Sequence, residues 1–155
     1  MAKQVTLSKK DIKELNSEIH GLYGIERFFD KSNNVFLFEE EYVMCEGMIL
    51  FFYHDDVLLP TLRLLLKNNF LKKVEVNMGA VPFVVKGADV MRPGIVGVGP
   101  EVKQGDYVSI VDETHNKPLA VGETLFSKDE IQGMEAGKIV LNLHHVGDPV
   151  WKMGE

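Results

Sequence analysis

Beyond Gly79 the chain is cut by glycine and proline into short β-prone runs, and that punctuation confines the second half to a small sheet-built unit. The runs are Val81 to Val85, Gly94 to Val98, Tyr107 to Val111, Leu119 to Leu125 and Ile139 to Val146. Evenly spaced short strands must hide their edges, and a closed or nearly closed barrel does so. Upstream the pattern differs. Ser8 stands three residues before Asp11 in a variant of the capping box, and Ile12, Leu15 and Ile19 follow at helical spacing, which predicts a helix over 9–20 ended by Gly21. A second helical or irregular piece carries Ile25, Phe28 and Phe29. After the Asn33-Asn34 turn come Val35 to Phe38, Glu41 to Cys45 and Met48 to Tyr53, with Glu46-Gly47 as a hairpin turn. His54-Asp55-Asp56 is expected to cap a helix holding Leu58, Leu59, Leu62, Leu65 and Leu66, with Pro60 in its first turn and its end at Asn68-Asn69. Val74 and Val76 alternate with Lys73, Glu75 and Asn77, which predicts a half-buried strand over 72–78. The expected architecture is α+β: an α/β unit over 1–78 and a small β-barrel over 79–155, packed rigidly together because no low-complexity linker separates them.

Charge and composition narrow the function. The chain has 155 residues, of which 45% are hydrophobic, enough to bury a core. Its longest strongly apolar stretch, Met48 to Tyr53, falls far short of the roughly 20 residues of a membrane span. The N-terminal residues carry positive charge but no apolar run or cleavage site, so cytoplasmic residence without a membrane partner is the expectation. The net charge is −6, with ten basic and twelve acidic residues up to Met78 and seven basic against eleven acidic beyond it. Neither half is a basic module, so any nucleic-acid contact must be local.

Several patterns that suggest chemistry do not support it. Cys45 is the single cysteine and reads as a half-buried small hydrophobe. His144-His145 with Asp148 suggests a metal or a general base, yet adjacent strand residues point to opposite faces, so at most one imidazole looks inward. Glu39-Glu40-Glu41 and Asp55-Asp56 read as solvated turn residues rather than paired catalytic carboxylates. The glycines from Gly94 to Gly99 lack the dinucleotide spacing, and no nucleophile elbow, phosphate loop or zinc-protease motif is present. The expectation is a protein that is not an enzyme and has no cofactor or metal.

Four ordered stretches carry a family resemblance. Val84-Val85-Lys86-Gly87-Ala88-Asp89-Val90-Met91-Arg92-Pro93-Gly94 resembles the opening strand and short helix of PUA domains, the RNA-binding barrels named for pseudouridine synthases and archaeosine transglycosylases. Gly105 to Asp112 resembles that family's second signature, and Leu119 to Glu123 with Ser127 and Glu130 its third. Gly137-Lys138 precedes the closing strand. Leu50 to Tyr53, Pro60 to Leu65 and Gly79 to Phe83 are similar to the pre-PUA domain of the malignant T-cell-amplified-sequence family of translation factors and their archaeal relatives. His144, Gly147-Asp148 and Trp151 are similar to that family's C-terminal motif. Lys86-Gly87-Ala88-Asp89 and the lack of an extended loop near residue 100 place the likeness on the archaeal side. The resemblance implies a non-catalytic protein that binds structured RNA, rRNA or tRNA, at the small ribosomal subunit or beside a translation-factor partner. An accessory RNA-binding subunit of an RNA-modifying enzyme and a protein-interaction adaptor are the alternatives.

On that footing the RNA-contact candidates are Lys86, Gly87, Ala88, Asp89, Arg92, His144 and Trp151. A cation, a glycine and the start of a short helix let a phosphate reach backbone amides, and Arg92 adds a second exposed cation. Without the resemblance, the same residues read as a satisfied turn beside a solvated lysine. Asp89 either caps the helix or accepts from a base or ribose. His144 is either structural or an RNA contact, and Trp151 either stacks on a base or, the favoured role, closes the end of the barrel.

Overall fold

The structure, a computed structural model, describes residues 3–155. Its first sheet begins with β1 (Gln4–Thr6), which leads into helix α1 (Lys9–Tyr23). Ser8 caps α1 reciprocally: its hydroxyl accepts from the Asp11 N–H at 3.1 Å, and the Asp11 carboxylate accepts from the Ser8 N–H at 3.0 Å. The helix runs three residues beyond the expected end and stops at Gly24, whose φ of 73° suits a residue without a Cβ. Ile12, Leu15 and Ile19 bury its apolar stripe against Val35, Val43, Phe51 and Leu58.

Those partners lie on an antiparallel meander of β2 (Val35–Phe38), β3 (Tyr42–Cys45), β4 (Met48–His54) and β5 (Val57–Pro60), with β1 on the outer edge of β2. Glu46-Gly47 forms the expected two-residue turn. Asp55-Asp56 forms another, both residues having positive φ, and this overturns the expected helix cap. Leu58, Leu59 and Pro60 are strand, and helix α2 is only Leu62–Lys67, capped by Thr61, whose hydroxyl accepts from the Leu64 N–H at 3.3 Å.

The second sheet has the order β7-β11-β10-β9-β6-β8. It contains β6 (Lys72–Val76), helix α3 (Val81–Val84), β7 (Val90–Met91), a 3-10 turn (Arg92–Gly94) and β8 (Ile95–Val98). Then follow β9 (Tyr107–Asp112), β10 (Pro118–Thr124), helix α4 (Lys128–Gln132), β11 (Lys138–His145) and helix α5 (Pro149–Met153). The edge strands β7 and β8 are joined by the Arg92–Gly94 turn, which brings the sheet's two ends together into a nearly closed six-stranded barrel. Val74, Ile110, Val140 and Ile131 fill its core.

Three expectations are corrected here. β6 pairs in parallel with β9 and antiparallel with β8, so it belongs to the barrel, and the division falls between Asn68 and Lys72 rather than after Met78. Val81 to Val84 is one helical turn, not a strand, and the helix expected after Val85 is absent, its place taken by a turn leading into β7.

The units lock together through α2. Leu62 and Leu65 pack with Leu71 and Val121, and the Arg63 guanidinium lies 4.0 Å over the Trp151 ring. The Leu62 N–H donates to His144 Nε2 at 3.0 Å.

Candidate nucleic-acid interface

α3 positions the candidate surface. Val84 is buried in the barrel core, so the one-turn helix must hold Phe83 on its outer side, where the ring is 66% exposed. The chain then turns through Lys86 and Gly87. The N–H groups of Lys86, Gly87 and Ala88 donate to Phe83, Val84 and Phe83 carbonyls at 3.0 to 3.1 Å. These amides follow a helix and are already paired, so the expected phosphate cradle at a helix start does not exist here. The Lys86 side chain remains exposed.

Gly87 has a different reason to be glycine. Its φ is 98°, and a Cβ would lie 2.8 Å from Nε2 of His145. His145 sits half-buried against this turn. Its Nδ1 faces the Val146 carbonyl at 2.9 Å, which can only accept, so Nδ1 carries the proton and Nε2 is left toward Gly87. Phe83, Lys86, Gly87 and His145 therefore share one small surface.

Other candidates are structural. Asp89 accepts the Asn142 N–H at 2.8 Å and pairs with Lys138 at 3.1 Å, so it fastens the turn to β11. Asn142 completes that fastening by donating to the Val84 and Ala88 carbonyls at 3.1 and 3.0 Å. Arg92 is not the freely exposed cation that was expected. Its guanidinium donates to the Ile131 and Ile95 carbonyls at 2.8 and 3.2 Å, bracing α4 against the 3-10 turn.

His144 is fully buried, which removes it from any RNA surface. Leu62 can only donate to Nε2, so the proton is on Nδ1, which donates to Asp148 at 2.8 Å. Asp148 also accepts the His145 and Trp151 N–H groups. Burial works to raise the Asp148 pKa, but these hydrogen bonds, led by that from His144, hold it below the usual carboxylate value. Trp151 is half-buried under Arg63 between the two units.

Lys86 and Gly87 are among the residues expected from the sequence, whereas Phe83, His145 and Asn142, which the structure brings to the same turn, are not. A signal for Phe83 was present: Pro82 near the start of the run favours a helix's first turn over a strand. Among the described residues, no three His, Cys, Asp or Glu side chains converge as metal ligands, and no helix is long and apolar enough to cross a membrane.

A barrel with this strand order and these signatures defines a PUA protein. The PUA domain family matches residues 72–147, and a domain of unknown function (DUF1947) matches residues 3–68, placing the division where β6 does. The chain belongs to the family of PUA proteins that carry this region ahead of the barrel, and malignant T-cell-amplified sequence 1 of Danio rerio is 34% identical to it over 73% of this chain and 65% of that one. It is 38% identical to an uncharacterized protein of Methanocaldococcus jannaschii over 96% of this chain and 95% of that one. Translation machinery-associated protein 20 of Saccharomyces cerevisiae is 35% identical over 68% of this chain, and the match spans 62% of that relative's length. A hypothetical protein from Pyrococcus horikoshii superposes with a TM-score of 0.85 at 30% identity, covering 99% of this chain and all of that one. An H/ACA ribonucleoprotein bound to a substrate RNA contains a chain alike over 62% of this one and 29% of its own length, with a TM-score of 0.50 at 25% identity.

Proposed function

We propose that this protein is a non-catalytic, translation-associated RNA-binding factor of the cytoplasm. It holds structured RNA, tRNA or rRNA of the small ribosomal subunit, on the face made by Phe83, Lys86, Gly87 and His145. The observation that carries the reading is Phe83. A large aromatic ring 66% exposed, three residues before an exposed lysine on the turn against which His145 packs, is costly in water, and it suits stacking on an unpaired base with a cation at the neighbouring phosphate. The family and the names of its translation-associated relatives supply the context. The likeness to the ribonucleoprotein chain favours a second reading, an RNA-binding subunit of an RNA-modifying assembly.

Crosslinking in cells followed by sequencing of the bound RNA distinguishes these: small-subunit rRNA or tRNA on ribosomal fractions supports the first reading, and a modification guide supports the second. Affinity for the recovered RNA tests the site. Phe83→Ala with Lys86→Glu should lower it at least about tenfold, since stacking alone is worth about 1–3 kcal/mol per base. The control Lys103→Glu with Lys117→Glu reverses two lysines in the barrel's loops, one more than the site variant. Equal loss in both variants would assign binding to the general field and remove the site.

A further inference from the structure

The first unit carries a second surface of different chemistry. A groove of about 1120 Å³ runs between α1 and the segment 26–31. Lys9 and Lys13, one helical turn apart, form one side, and Arg27 and Lys31 stand on the other, with Lys10 nearby. All five are exposed, and none enters an ion pair among the described residues. Only two carboxylates, Glu26 and Asp30, line the groove with them, so it is locally positive on a chain of net charge −6. The wall between the cations is mostly carbon surface, with Ile12 and Phe29 buried beneath it.

Its shape is fixed by Asn16. The Asn16 amide donates to the Phe29 carbonyl at 2.8 Å and accepts the Phe29 N–H at 2.9 Å, which clamps the facing segment to the helix.

We propose that this groove docks an acidic, amphipathic segment of a protein partner. Charge complementarity selects a negative occupant. The groove, at about 1120 Å³, lies at the upper limit of pockets built for a small molecule, which are about 300–1,000 Å³. Phosphate-rich RNA fits less well than a peptide, because Glu26 and Asp30 repel an unbroken row of phosphates and an apolar wall does nothing for them. A peptide sets its carboxylates against the lysines and its Leu, Ile or Phe side chains on the wall, leaving the two acidic positions uncontested.

Selection of a random-peptide display library on the full chain tests this. The enriched peptides should interleave Asp or Glu with large apolar residues, and a labelled copy should bind in fluorescence anisotropy, less tightly as salt rises. Combining Lys9→Glu, Lys13→Glu and Lys31→Glu should weaken that binding by more than about tenfold. Circular dichroism should show the fold unchanged, since all three side chains are exposed. Asn16→Ala should also weaken it without altering any charge, and Lys86→Glu should leave it unaffected. Absence of acidic enrichment, or affinity that survives the triple reversal, overturns the proposal. It is equally overturned if the triple variant keeps peptide affinity and loses affinity for a labelled oligouridylate, which would give the groove to RNA.

Discussion

Left-handed backbone marks the positions where individual residues matter most. Gly87 meets two demands at once, a φ of 98° and the His145 ring in the space of a Cβ, so alanine there would strain the turn and displace the imidazole. The β4–β5 turn shows the opposite situation: Asp55 and Asp56 hold φ of 47° and 64° with side chains that the conformation disfavours. Asn-Gly is the preferred pair for such a turn, and each strained residue costs about 1–2 kcal/mol in the left-handed region, somewhat less for aspartate. Asp55→Asn with Asp56→Gly should therefore stabilise the chain by about 1 kcal/mol, read as a higher urea midpoint at unchanged slope. A lower midpoint would show that these carboxylates make stabilising contacts. The same positive φ values explain why the turn escaped sequence reading, since Asp-Asp before a leucine-rich run looks like a helix cap.

At the scale of elements, Gly122 sits at a bulge in β10 where a Cβ would lie 2.5 Å from Val140 Cγ1 and 2.6 Å from the Leu141 carbonyl oxygen of β11. Gly122→Ala must part the two strands or shift the core, at about 1–3 kcal/mol. Thermal denaturation should show the loss, and an unchanged midpoint would mean that the bulge relaxes freely. Elements defined by local pattern were legible: α1 from its cap and apolar stripe, β2 to β4 and β9 to β11 from β-rich runs between turns. Elements defined by distant partners were not. The place of β6 depends on parallel pairing with β9, more than thirty residues away, which no local alternation records. α3 is a single turn, too short for a helical period to show, and Val-Pro-Phe-Val-Val passes for a strand. The candidate site was legible to the same degree: Lys86 and Gly87 lie in a recognisable motif. Which of His144 and His145 faces outward depends on the register of β11 against a bulged neighbour.

The whole molecule is joined by one buried chain of hydrogen bonds, from the Leu62 N–H of α2 through His144 to Asp148, which in turn caps α5 under Trp151. Arg63 covers it by stacking on that ring and donating to the Trp151 carbonyl at 3.2 Å. With no flexible linker and a shared apolar cluster around Leu62, Leu65, Leu71 and Val121, the two units should unfold in one calorimetric transition; two separate transitions would refute the coupling. The latch should also be acid-sensitive. Asp148 has a folded pKa below its unfolded value, near 3.9, so its contribution is fully present above that value and is lost as pH falls through the lower folded pKa. Asp148→Asn keeps the size of the side chain but removes the charge that His144 and two backbone N–H groups address. It should cost about 2–3 kcal/mol at neutral pH, the worth of hydrogen bonds to a charged group. Urea titrations of both proteins from neutral pH to below pH 4 decide the matter: the stability difference should be constant down to about pH 4 and narrow below it. A difference that stays constant throughout would show that the ionised form of Asp148 is not what holds the units together.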